Sequence, residues 1–249
     1  SSGTPQIQNT WMDAKIGNIV VTPRNGKAIE INALWYNALK IMESFANLYK
    51  EKELSKKYAE LAKKCKESFI KKFYNKKRKC FDDLVGDNSI RPNQLFAIGL
   101  HYPVVEPNSV EAKTAFETVT KKLLTPYGLK TLAKGEKCYR EIYEGDQIKR
   151  DMSYHQGITW TWLLGIYSDS FLNIISAEKN KTKKKELEEQ YSKFAQNVED
   201  TFYNEMYNRS TVGSISELYD SAKPYEAKGA FAQAWSVAEV FRIIEKRNK

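Results

Sequence analysis

The chemistry open to this chain begins with acidic side chains in loops. Asp13 closes the run Thr10-Trp11-Met12-Asp13, and Glu217 ends the Gly-Ser-rich run Gly213-Ser214-Ile215-Ser216-Glu217. Two such carboxyls suffice to cleave a glycosidic bond without a covalent intermediate, one protonating the departing oxygen and one activating a water, if they stand roughly 6.5–9.5 Å apart. Trp11 and Met12 could desolvate Asp13 and raise its pKa, as an acid requires, while the loop around Glu217 can admit water and hydrogen bonds. Spacing alone leaves a second role open, because Asp in a loop commonly serves as a turn or cap residue.

Other groups carry two readings each. Arg91, Asn93 and Gln94 stand ahead of Leu95-Phe96 and either bind hydroxyls or cap a helix through a structural ion pair. Tyr154, His155 and Gln156 form a further candidate group for binding hydroxyls, in which His155 either donates to a hydroxyl or caps the helix that follows. Glu226 either bonds a hydroxyl or pairs with Lys228. Trp11 is the best candidate for stacking on a sugar face, and Trp35 and Trp160 are either further platforms or core wall. Glu30 opens a helix and offsets its dipole. Asp82, Asp83 and Asp87 lack the twelve-residue calcium-loop pattern and read as a turn. No Ser or Cys occupies a nucleophile elbow, so triad chemistry has no support.

Composition narrows the classes further. The 249 residues are enough for one large domain. Forty Lys and Arg against 31 Asp and Glu give +9, but residues 50–79 hold 13 basic and 4 acidic side chains, so the excess is local. Those lysines are not interleaved with glycines or exposed aromatics, so they read as a solvated face and no nucleic-acid partner is expected. Two histidines and three widely separated cysteines make a metal site or disulfide framework unexpected and fit a reducing compartment. With neither GxGxxG nor GxxxxGK[ST] present, no cofactor is expected. No apolar run approaches the ~20 residues that span a bilayer, and no signal-peptide stages open the chain, so the expectation is a cytoplasmic protein without a membrane partner.

The elements that must position these residues read as helical almost throughout. Residues 51–72, 110–124 and 183–203 carry apolar side chains on one face, with Asn108 and Glu111 offering a capping-box start to the second. Residues 31–49, 92–100, 158–175 and 230–246 are apolar around most of their circumference, which predicts burial on several sides. The result is an all-α expectation of seven helices, buried and amphipathic in strict alternation. A ring of helical hairpins produces that alternation, with parallel inner helices whose preceding loops meet at one mouth. Those loops hold the polar groups above, and all five tryptophans lie in them or on the apolar helices. A mouth of indoles, carboxylates and planar amides suits sugar recognition.

The runs TWMDAK (10–15), VTPRNGKAIEINALWYNAL (21–39), RPNQLFAIGL (91–100), YGLKTL (127–132), YHQGITWTWLLGIY (154–167), GSISELYD (213–220) and PYEAKGAFAQAWSVAEV (224–240) give the chain its family likeness. It resembles the C-terminal amylo-α-1,6-glucosidase domain of bacterial and archaeal glycogen debranching enzymes. The resemblance implies a six-hairpin α/α toroid of the glucoamylase-like glycosidases. On that basis 1–249 is the C-terminal part of one such domain, with the upstream helices a missing part. It also implies that Asp13 is the general acid and Glu217 the general base of an inverting hydrolase acting on an α-glucan or oligosaccharide, without metal or cofactor. The alternatives are a related α-glucosidase acting on another glucoside, or a non-catalytic carbohydrate-binding helical toroid.

Overall fold

The computed structural model describes residues 4, 6–209 and 212–247. A hairpin of β1 (Lys15–Ile16) and β2 (Ile19–Val20) leads to α1 (Ile29–Leu48) and α2 (Lys52–Phe73), which pack together. A second hairpin, β3 (Tyr74–Asn75) and β4 (Cys80–Phe81), precedes a 3-10 turn at Pro92–Leu95 that runs into α3 (Phe96–Gly99). Next come α4 (Val110–Leu123), β5 (Leu124–Thr125), β6 (Gly128–Lys130), α5 (Gln147–Ser153) and β7 (Thr159–Trp160). The chain ends with α6 (Leu163–Ala177), α7 (Lys181–Asn204), a π-turn at Glu205–Arg209, β8 (Leu218–Tyr219), β9 (Ala227–Lys228) and α8 (Ala234–Arg247).

The all-α expectation does not hold. Strands β5 to β9 form one antiparallel sheet in sequence order, beside the two hairpins, so the fold mixes helices with sheet and is not an all-α toroid segment. Each strand is two or three residues long, too short for a period-two pattern to stand out from its surroundings. Trp160 is the middle of this sheet, opposite Leu129 on one side and Leu218 on the other. Gly128 makes the close packing possible: its φ is +153°, and a Cβ there would lie 2.3 Å from the Trp160 carbonyl oxygen.

The helix pattern holds better. Four-residue and three-residue apolar spacing does mark α2, α4 and α7, whose buried residues include Phe69, Phe116 and Phe202. The cap of α4 is one residue off the expected one, since Ser109 accepts from Ala112 N at 3.1 Å. The 158–175 segment divides into β7 and α6, and 92–100 into the 3-10 turn and α3. Around α6 the burial is nearly complete, from Leu163 to Ile175.

The succession α1 on α3, α3 on α6 and α6 on α8 builds the core, with α2 against α1, α4 against α6, and α7 against α6 and α8. Its first and last members depart from the expected burial. On α1, Leu34, Trp35, Met42, Phe45 and Leu48 are 40–72% exposed, and on α8 Phe241 is 51% exposed. Both helices bury one side only, so the strict alternation of buried and amphipathic helices is broken at each end.

Candidate functional site

Glu217 is fixed by the strand pair it adjoins. Its N–H donates to the Ala230 carbonyl and the Ala230 N–H donates back to Glu217 Oε2, both at 2.9 Å. The Tyr154 hydroxyl donates to Oε1, so each carboxylate oxygen has a donor. Just past β9, Gly229 has φ +73°, and a Cβ there would come 2.4 Å from Glu217 Oε2. Only glycine leaves the carboxylate in place. On the other side, burial first and then the Glu217 charge raise the Tyr154 phenol above its ordinary range, so it stays a donor.

Asp13 approaches the same loop from the other side. His155 Nε2 stands 3.6 Å from Asp13 Oδ1. The facing imidazole lowers the carboxyl below its usual value and outweighs the opposite effect of partial burial. With the Asp13 side chain 63% exposed, the expected rise from Trp11 and Met12 does not occur. Met12 is buried in the core and Trp11 packs edge-on against His155, Trp160 and Trp162, leaving the Asp13 carboxyl largely exposed. His155 itself is buried, which lowers its own pKa, and neither ring nitrogen has a hydrogen-bond partner among the described residues. It stacks on Trp160, centroids 5.1 Å apart and 22° between planes. The two carboxylates therefore flank the dipeptide Tyr154-His155, one through each side chain.

Beneath this dipeptide lies a buried polar frame. Trp11 Nε1 donates to Asn93 Oδ1, and Asn93 Nδ2 donates to Asp83 Oδ1, each at 2.8 Å. Arg24 Nε donates to Asp83 Oδ2 at 2.7 Å, and Arg24 Nη2 donates to Glu30 Oε2 at 2.6 Å. Arg91 Nη1 donates to the His155 carbonyl at 2.7 Å and Nη2 to Gln156 Oε1 at 2.9 Å, while Gln156 Nε2 donates to the Val21 carbonyl at 3.0 Å. Gln94 accepts from Phe81 N and donates to the Arg91 carbonyl. Arg91, Asn93, Gln94 and Gln156 are all buried with protein partners. Burial holds Arg91 below its ordinary range despite Asp83 nearby. For Arg24, burial is more than offset by Asp83 and Glu30, and its pKa is held up.

Sequence reasoning missed Arg24 and the roles of Asp83 and Glu30. Residues 83 and 30 are far apart in the chain and look like a turn and a helix start until folding brings both onto one guanidinium. Among the other candidates, Trp160 is a core wall residue and Trp11 meets His155, Trp160 and Trp162 edge-on. Trp35 projects from α1, 56% exposed, and takes no part in that ring cluster. Glu226 is exposed, and its backbone carbonyl accepts from Asp220 N at 2.9 Å.

In front of Glu217 opens a cavity of about 760 Å³, whose wall includes Tyr143, Glu144, Arg150, Lys228 and Gly229. Tyr143 and Arg150 carry no pattern that marks them in the sequence. Among the described residues no group of three His, Cys, Asp or Glu side chains converges as metal ligands would. No described helix is long and apolar enough to cross a membrane.

Three findings relate this geometry to known proteins. The family model described as amylo-alpha-1,6-glucosidase matches residues 1–242. The chain is 27% identical to the glycogen debranching enzyme of Saccharomyces cerevisiae over an alignment covering 65% of this chain and 13% of that protein. A solved structure described as a sialidase shares the fold with a TM-score of 0.67 and 15% identity, covering 95% of this chain and 20% of that one. The chain thus spans a fifth or less of the length of these relatives.

Proposed function

From the premise that the chain belongs to the amylo-alpha-1,6-glucosidase family, we propose that it carries the acid–base pair of an inverting glycoside hydrolase. Its substrate is a glucan branch trimmed to single glucose units joined by α-1,6 bonds. The supporting observation is that Asp13 and Glu217 meet the adjacent residues His155 and Tyr154, so one short loop separates the two carboxylates. In the proposed step, Glu217 takes a proton from water as the water oxygen attacks the anomeric carbon. The glycosidic oxygen leaves with the proton of Asp13, giving β-glucose and a glucan with a free 6-hydroxyl. Tyr154 and the Ala230 N–H each donate to one Glu217 oxygen and so fix the orientation of the carboxylate. Asp13 is exposed and held low by His155, so its working protonation depends on substrate covering it and excluding water.

The test is stereochemical and mutational. Proton NMR of the first turnovers on an α-1,6-branched oligosaccharide, with the intact protein, is expected to show β-glucose; initial α-glucose removes the base role of Glu217. Glu217→Gln is expected to lower kcat by about 10²–10⁴-fold on every substrate. Asp13→Asn is expected to be spared in part on glucosyl fluoride, whose leaving group needs little protonation. Binding that survives with no hydrolysis in the parent protein would instead mark a carbohydrate-binding module.

A further inference from the structure

We propose that Tyr143 and Arg150 form a subsite for a neutral hexose ring on the wall of the Glu217 cavity, a subsite that rests on the reading of Glu217 given above. Among the residues lining the cavity Tyr143 is the one aromatic, and Gly145, Ala227, Gly229 and Ala230 leave the surface around it low. That combination offers one flat apolar face with room above it, which is what the C–H side of a pyranose packs against. The tryptophans do not offer it: Trp11 is enclosed edge-on by three rings, and Trp160 is buried in the sheet.

The position of Tyr143 is tied to that of Glu217. Its N–H donates to Asp220 Oδ1 at 2.7 Å, and the Ser221 N–H donates to the Glu141 carbonyl at 2.8 Å. Both bonds fasten the 141–143 stretch to the residues just past β8, the strand that Glu217 precedes. The Tyr143 ring leans on Tyr154, the residue that donates to Glu217, at 5.8 Å and 38°. It is half-buried, so part of the ring stays open to the cavity. Arg150 lies within α5 beside it, with Nη1 donating to the Gly145 carbonyl at 2.7 Å and the guanidinium also reaching the Tyr143 hydroxyl, and the five N–H donors of a guanidinium leave others to offer a sugar hydroxyl.

Charge decides the ligand class. The cavity wall carries Arg150 and Lys228 against Glu144 and Glu217, two of each sign. Lys228 is further drawn to Asp220 at 3.9 Å. A balanced wall with a carboxylate at its centre favours a neutral polyhydroxyl ligand and disfavours a phosphate.

The experiment measures binding and turnover separately in the intact protein. In a Glu217→Gln background, calorimetric titration with panose is expected to show Tyr143→Ala weakening affinity about tenfold or more, Arg150→Gln about tenfold, and Tyr143→Phe within about twofold of its parent. With the catalytic Glu217 present, Tyr143→Ala is expected to raise KM and leave kcat within a few-fold, a split that a merely structural role does not produce. Circular dichroism checks folding; if Tyr143→Ala unfolds, Arg150→Gln and Tyr143→Leu decide. Unchanged affinity in folded Tyr143 and Arg150 variants, absence of any panose binding, or competition by millimolar inorganic phosphate overturns the subsite. Normal hydrolysis with an unchanged KM in Tyr143→Ala overturns the subsite and leaves the hydrolase reading standing. Binding that depends on Tyr143 in a parent protein unable to hydrolyse keeps the subsite and overturns the hydrolase.

Discussion

A carboxyl that donates a proton must first hold one, and at Asp13 the neighbouring imidazole works against this. His155 lowers the Asp13 carboxyl, so at neutral pH the uncovered group is ionised. Replacing His155 by Gln removes that influence and lets the carboxyl rise. The sign follows from the acid role proposed for Asp13: an acid acts in its protonated form, so a higher pKa extends activity to higher pH. The alkaline limb of kcat/KM, which reports the free enzyme, is expected to move upward in His155→Gln. A limb that stays in place would assign it to a group other than Asp13. The two carboxylates were legible as loop acids flanked by unusual neighbours. Their environments were not, because adjacency to Trp11 and Met12 in sequence does not say where those side chains point. Both turn away into the protein, and the group that reaches Asp13 comes from residue 155.

Elements hold these residues through the buried frame as much as through packing. Arg24 precedes α1, Glu30 lies in its first turn, and Asp83 follows β4; all three are at most 3% exposed. Arg24→Met leaves the buried Glu30 and Asp83 carboxylates without the guanidinium between them, with an expected cost of about 3–5 kcal/mol in urea unfolding at neutral pH. Burial already raises the Glu30 carboxyl, and losing Arg24 raises it further, so the folded state binds more protons. The deficit is therefore full above that raised value and eases as pH falls through it. An equal deficit at pH 7 and pH 4.5 would mean that lost packing, and not charge, is responsible. This frame also marks the limit of what the sequence conveys. The helices α2, α4 and α7 were readable to within a few residues because their apolar spacing repeats over four or more turns. The five-stranded sheet was not, since its strands are fixed by partners up to 60 residues away in the chain and are too short to carry a pattern; Trp160, in the middle, read equally well as helix. Tyr143 was silent for the same reason, its place being fixed by Asp220, 77 residues away.

At the scale of the whole molecule the exposed stripe of α1 is the feature that bears on association in solution. Leu34, Trp35, Met42 and Phe45 together present more apolar side-chain surface than scattered single residues do, the kind of patch that associates. Sedimentation velocity of this chain by itself is expected to show concentration-dependent association, and Trp35→Glu with Phe45→Glu to suppress it; a monomer at all concentrations would show that the stripe is not adhesive. Neither substitution touches the frame or the cavity, so the circular dichroism spectrum is expected to stay the same. The stripe on α1 is not matched in kind on α8, where Phe241 is exposed at the opposite end of the helix succession. Two unlike adhesive ends define a polarity. Contact between the α1 end of one copy and the α8 end of another is head-to-tail, and each addition leaves a fresh end of the same kind. Such growth has no built-in stopping number and ends only if rotation happens to close a ring or some other surface covers one end.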